Sequence, residues 1–217
     1  MTLLILFLLL FQNTRPEIRV LDVEQRVHEL INVQRKANDR PEFVWNEDLA
    51  KMARAHSEDM AKRKYFKHVN PEGLTPMKRA QAAGYNSCQL LGENIFQNNL
   101  YSRVIEEQRR KNAEKIYIWN SLEKIASTTV KAWMDSPDHR ETVLNPNYTS
   151  EGIGVAIAED DEGKVYITQM VCGAEAETQG AEREPDRAKP QGAEREPDRA
   201  KPQGAKREPD RAKPQVR

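Results

Sequence analysis

An acid stands inside an apolar, strand-like run at Leu91-Gly92-Glu93-Asn94-Ile95. Burying a carboxylate is costly unless a cation, a hydrogen-bond donor or a metal holds it. Two imidazoles occupy similarly marked stretches: His68 in Phe66-Lys67-His68-Val69-Asn70-Pro71, and His139 in Trp133-Met134-Asp135-Ser136-Pro137-Asp138-His139-Arg140. Two imidazoles and a carboxylate suit a divalent ion. Zinc accepts nitrogen and oxygen donors at about 2.0–2.2 Å and keeps an open position when three protein groups bind it. Such a site can activate water. The competing reading is a hydrogen-bonded network in which the two rings simply hold Glu93. Both readings require the three segments to converge on one polar cleft, in which Asn70, Asn94 and Gln169 are also expected. No His-Glu-x-x-His motif fixes two ligands on one helix, so any metal should bind weakly. No Gly-x-Ser-x-Gly frames Ser136, which reads as a helix cap rather than a nucleophile.

The elements that must position these residues can be read from periodicity. Val23, Val27, Leu30 and Ile31 mark one face of a helix from Asp22 to about Asn38, with His28 off that stripe and expected in solvent. Pro41 ends it, and Phe43-Val44-Trp45 is a short apolar link. Asn46 is an N-cap, with Glu47 and Asp48 in the first turn. That helix runs to about Lys64 with His56 on its apolar face, expected as a hydrogen-bonded core histidine. Thr75-Pro76 opens a third helix, which Gly84 stops. Tyr85 to Phe96 reads as strand. Arg103 to Lys115, mostly Glu, Arg, Lys and Gln, is expected as a solvated helix or a mobile insertion. Ile118, Leu122, Ile125, Ala126, Val130 and Trp133 mark a buried helix. Ser136 then caps a short one, with Pro137 at N1 and His139 at N3. Residues 152–158 and 165–171 read as a β-hairpin. In its second strand Gln169 shares a face with Val165, Ile167 and Val171, either as a buried polar group or as the floor of a cleft.

Composition bounds the rest. The tail from Thr178 carries 11 Lys+Arg against 8 Asp+Glu, and the remainder 23 against 26. Neither part is basic enough to argue for nucleic acid. A 12-residue unit, QGAEREPDRAKP, begins at Gln179 and again at 191, with QGAKREPDRAKP at 203. Without leucine, valine or aromatic side chains to stack, it is expected as an extended, disordered spacer or surface-contacting tail over 176–217. Leu3 to Phe11 is apolar but too short to span a bilayer, and 1–19 reads as a signal peptide or membrane-targeting segment. One ordinary domain remains, over 20–175. Cys88 and Cys172 are either one disulfide in an oxidising compartment or two buried thiols. The disulfide becomes possible if their strands share a sheet.

Taken together the motifs resemble the CAP superfamily of cysteine-rich secretory, allergen and plant pathogenesis-related proteins, in its bacterial and archaeal SCP-like branch. The resemblance covers about Val23 to Val171. It rests on His68-Val69-Asn70-Pro71, Gly92-Glu93-Asn94, the Trp133 to Arg140 segment, Leu144-Asn145-Pro146-Asn147-Tyr148 and Gly152-Ile153-Gly154-Val155. It implies an α+β fold, a three-layer α-β-α sandwich with a central antiparallel sheet. It also implies a cleft with two histidines and two acids, sometimes holding zinc. His68, Glu93 and His139 match three of these, and Ser136 stands at the fourth position. The function implied is that of a secreted or cell-surface monomer that binds a lipid, glycan or peptide, with cell-wall or membrane association. A weakly bound zinc or other divalent cation would sit at His68, Glu93 and His139. The alternatives are a zinc-dependent peptidase using the same cleft, and an adhesion role for the repeats.

Overall fold

Strand pairing sets the frame. In a computed structural model that describes residues 15–109, 112–159 and 163–173, β5 (Tyr148–Ile157) and β6 (Lys164–Gly173) form the expected hairpin. β2 (Leu90–Asn99) pairs antiparallel with the other side of β6, and β1 (Val44–Trp45) runs parallel to β5. The sheet order is therefore β1-β5-β6-β2, antiparallel except for the two-residue β1. The signal-like run over 1–14 and the repeat tail lie outside the described residues. Among those described, no helix is long and apolar enough to cross a membrane.

Side chains alternate across a strand, so each face of the sheet receives its own layer. α1 (Val20–Ala37) and α4 (Leu122–Asp135) cover the face carrying Ile153, Val155, Ile167 and Val171. Val23, Val27, Ile31, Ile125 and Trp133 close that core, all fully buried. α2 (Glu47–Arg63) covers the opposite face, where Leu49 and Ala53 meet Met170. It can come so near only because β5 presents glycine there. A Cβ on Gly152 would lie 2.1 Å from the Ala50 nitrogen, and one on Gly154 2.0 Å from the Arg54 nitrogen. Ser57 Oγ donates to the Gly154 carbonyl at 2.9 Å across the same contact. The α-β-α sandwich is thus the observed architecture.

The capping signals hold. Asn46 accepts from the Asp48 and Leu49 amides, and Thr75 from Lys78 at the head of α3 (Pro76–Ala82). Gly84 follows α3 at φ +77°. Ser136 occupies the N-cap position of α5 (Pro137–Leu144), although its hydroxyl makes no capping bond.

Three expectations need correcting. Tyr85 to Gln89 is not strand, since β2 begins at Leu90. Ile118 belongs to a strand rather than to α4, which Ser121 caps. The charged stretch is neither helix nor unstructured insertion: β3 (Tyr101–Arg109) and β4 (Asn112–Trp119) form a separate two-stranded sheet. Glu, Arg, Lys and Gln favour helix locally, but the ends of this stretch are β-branched and aromatic. Tyr117 stacks on Trp119 with centroids 5.0 Å apart, and Tyr101 meets both edge-on. The cross-strand contacts of Tyr101 with that pair favour the hairpin over the locally preferred helix.

Two long-range ties fix the layers. Cys88 and Cys172 form a disulfide with Cα atoms 5.7 Å apart, beside the Leu91–Cys172 register of β2 and β6. It closes a chain separation of 84 residues, a constraint of about 2–5 kcal/mol on the unfolded chain. Arg35, only 1% exposed, lies over the Phe43 ring and donates to the carbonyls of Pro41, Val143, Asn145 and Tyr148. Burial pushes its pKa down from the ordinary arginine value. Replacing it by alanine strands the buried Val143 and Tyr148 carbonyls and removes the donors to the part-buried Pro41 and Asn145 carbonyls. Arg35→Ala is therefore expected to cost about 3 kcal/mol or more in urea unfolding of the full chain. A loss below about 1 kcal/mol would show that water satisfies those carbonyls equally well.

Candidate functional site

Glu93 sits in the middle of β2 on the α2 face of the sheet, opposite Met170. Its side chain is 1% exposed. Oε1 accepts from His68 Nδ1 at 2.8 Å, and Oε2 takes a short ion pair from Arg79 Nη2. His56 Nε2 stands 3.9 Å from Oε1. The expected convergence of His68 on Glu93 is therefore found, from the loop after α2. Arg79 and His56 are additions that sequence reasoning did not place here. Arg79 also braces the loop, donating to the His68 carbonyl at 2.6 Å and the Leu74 carbonyl at 3.2 Å. Its Nε is buried without a partner.

A carboxylate paired with a guanidinium only accepts. The proton between His68 and Glu93 therefore belongs to His68 Nδ1, which leaves Nε2 of that half-exposed ring open to solvent or ligand. His139 is at the third position of α5, within electrostatic range of His68. Among the described residues its ring has no hydrogen-bond or ion-pair partner. Burial first, and repulsion from His68 second, hold its pKa below the ordinary 6.5. Burial likewise lowers the pKa of His56, whose Nε2 donates to the Lys67 carbonyl at 3.1 Å, as a core histidine should.

The expected metal triad is not gathered. Among the described residues no three His, Cys, Asp or Glu side chains are placed to hold an ion together. The reason lies in Glu93, whose two oxygens are already engaged by His68 and by Arg79, itself a cation. As arranged, the donor set does not fit zinc.

Beside this cluster lies a cavity of about 530 Å³, lined by Met52, His56, Asp59, Asn70 and Arg79 among others. Asn70, expected in the cleft with His68, lines this neighbouring cavity, and its Oδ1 accepts the Leu74 amide at 2.8 Å to shape the loop.

Asn94 and Gln169, expected in the cleft, are on the other face of the sheet. Both are buried, at 1% and 0% exposure, and Asn94 Nδ2 donates to Gln169 Oε1 at 2.9 Å. Period-two alternation dictates this: if Glu93 faces α2, its neighbour Asn94 cannot. His28, expected in solvent, also belongs to this second network. Its Nδ1 lies 2.6 Å from Oε1 of the fully buried Glu151, whose Oε2 accepts from Gln169 Nε2 at 2.6 Å. Burial pushes the Glu151 carboxyl above its ordinary 4.5, while bonds from His28 and Gln169 and the charge of Arg35 pull it back. One signal could have found Glu151: like Glu93, it is an acid within a strand that carries an apolar run.

The model of the CAP (cysteine-rich secretory protein) family matches residues 28–172, about two thirds of the chain, and the chain belongs to that family. It is 30% identical over 148 residues to the uncharacterized protein YkwD of Bacillus subtilis, covering 68% of this chain and 46% of that one. A Bacillus anthracis extracellular protein containing an SCP domain is similar at 26% identity and a TM-score of 0.51, over 70% of this chain and 40% of its own. An outer surface protein of Borrelia burgdorferi shares the fold at 17% identity and a TM-score of 0.54, over 75% of this chain and all of its own. The chain spans less than half the length of the curated relatives it matches, 46% of one and 31% of another.

The repulsion between the two cleft imidazoles gives a direct check. His68→Ala removes the nearby charge but not the burial. The His139 pKa, followed by NMR on the full chain, is expected to rise and still remain below 6.5. An unchanged titration would mean that the two rings do not sense each other.

Proposed function

We propose that the chain works outside the cell as a monomeric CAP-family binding module, whose His68–Glu93–His139 cleft and adjoining cavity hold a polar ligand, a glycan or a peptide segment. The observation that carries this reading is the cavity. Its volume, about 530 Å³, lies in the range of small-ligand sites. Met52 and Ala55 supply apolar wall, while Asp59, Asn70, His56 and Arg79 supply donors and acceptors in several directions. Lys62, Arg63 and Glu72 add charge to the lining, which suits a polar ligand better than a lipid tail. An extracellular setting, with cell-wall or membrane association, is supported by the Cys88–Cys172 bond, which persists in oxidising compartments. The descriptions of the Bacillus anthracis and Borrelia proteins as extracellular and outer-surface point the same way.

A hydrolytic reading has one observation in its favour. Glu93 fixes the His68 proton at Nδ1, so Nε2 is oriented to act as a general base toward water. Proteolysis that survives chelation yet vanishes in His68→Ala would establish it in place of simple binding.

NMR shifts of the full chain test the binding reading with a chitin trisaccharide, a tripeptide and a dodecanoate as probes. Saturable shifts of the His56 ring and the Asn70 amide are expected with the saccharide or the peptide and not with the fatty acid. Shifts with dodecanoate alone, or with none of the three, would overturn it.

A divalent ion at the same place requires Arg79 to leave Glu93. Calorimetry should detect no zinc binding by the wild-type chain tighter than about 100 μM, weak for a structural zinc site. Arg79→Met, which frees one carboxylate oxygen beside His68, should gain affinity at least about tenfold, or 1.4 kcal/mol. Tight stoichiometric zinc in the wild type would refute this account of Arg79.

A further inference from the structure

A row of polar side chains passes through the apolar core and ends on the segment that carries His139. It begins on α1, where Asn32 is pinned by backbone at both ends of its amide. Asn32 Nδ2 donates to the Phe43 carbonyl at 3.1 Å, and Oδ1 accepts the Phe43 amide at 2.7 Å. The same Nδ2 faces His28 Nε2 at 3.3 Å. A donor there requires His28 Nε2 to accept, so the ring proton of the neutral imidazole sits on Nδ1 and is given to Glu151 Oε1. The far end is pinned too, because Asn94 Nδ2 donates to the His139 carbonyl at 3.0 Å. That fixes the Asn94 amide nitrogen as the donor to Gln169 Oε1, and Gln169 Nε2 as the donor to Glu151 Oε2.

Every bond in the row then has one direction. Donors from both sides point at Glu151, which accepts on both oxygens and is the carboxylate rather than the acid. A protonated Glu151 would turn a hydroxyl toward one of two donors.

We propose that Asn94 and Gln169 are positioning residues for His139, with the buried Glu151 and its partner His28 as the anchor that sets the direction of their hydrogen bonds. Asn94 holds the first turn of α5 against β2 through the His139 carbonyl. Gln169 keeps the Asn94 amide the right way round, and the Glu151 carboxylate does the same for Gln169. His139 is thereby held through its backbone by a row that crosses β2, β6 and β5 on the face opposite Glu93. The inference takes from the binding reading only that His139 belongs to the cleft.

NMR of the full chain without ligand tests it apart from that reading. In the wild type the His28 ring nitrogens should show the proton on Nδ1, and the Asn94 and Gln169 side-chain amides should exchange slowly with solvent. Glu151→Gln must offer an amide N–H to one of two donors. The His28 end yields, because its 3.3 Å contact to Asn32 is the longest link in the row. The His28 proton is therefore expected to move to Nε2, with the His139 carbonyl carbon unshifted. Asn94→Leu keeps the side-chain shape and removes the donor. It should move the His139 carbonyl and ring resonances and leave the His28 tautomer in place. Should Asn94→Leu fail to fold, Gln169→Leu reads the same link, with a smaller displacement of the same resonances. Wild-type His28 with its proton on Nε2 would overturn the direction of the row. Unmoved His139 resonances in the folded Asn94 or Gln169 variant would overturn the positioning role.

Discussion

A carboxylate that cannot reach water must be met by positive charge or donors, and this domain meets that demand twice on one sheet. Glu93 and Glu151 both stand on strands flanking β6, with their side chains on opposite faces. Glu93 is met by His68 and Arg79, Glu151 by His28 and Gln169. Each set of partners comes from a different part of the chain, so neutralising the two acids also fixes the loop after α2, the placement of α3 and the seat of α1. Polar networks of this kind are costly when incomplete and specific when complete. Here both are closed apart from the Arg79 Nε.

The packing that surrounds them follows from close approach. Glycines at 152 and 154 let the backbone of α2 lie against β5, which lowers that layer onto the sheet and brings His56 to within 3.9 Å of Glu93. On each free edge one backbone group is met by a side chain. Glu24, bound to Arg54, accepts the Val155 amide where β1 has ended, and Trp133 donates to the Ile95 carbonyl on the outer side of β2. The disulfide then ties the start of β2 to the end of β6, close to the site but not part of it.

Much of this was legible in the chain itself. The helix caps at Asn46 and Thr75 and the β5–β6 hairpin follow from local residue types, His68 and Glu93 stood out as groups needing partners, and the cysteines were a pairing to test. The β3–β4 hairpin was not legible. Its charged middle favours helix locally, and only the register that brings Tyr101, Tyr117 and Trp119 together outweighs that preference. Arg79 was hidden for a related reason: one arginine on a seven-residue helix looks solvated until β2 sets a carboxylate beside it.

By itself the sequence determined the kinds of group available, two imidazoles and an acid in unusual surroundings, and the family whose fold would carry them. It also determined that Asn94 could not share a face with Glu93, although that consequence of strand alternation is easily overlooked. Tertiary structure alone decided which partners those groups would find. Arg79 took the place beside Glu93 that a metal would need, and Glu151 became the sink of a hydrogen-bond row ending at His139. Pairings of this sort depend on distances between segments far apart in the chain, and residue spacing along the backbone does not encode those distances.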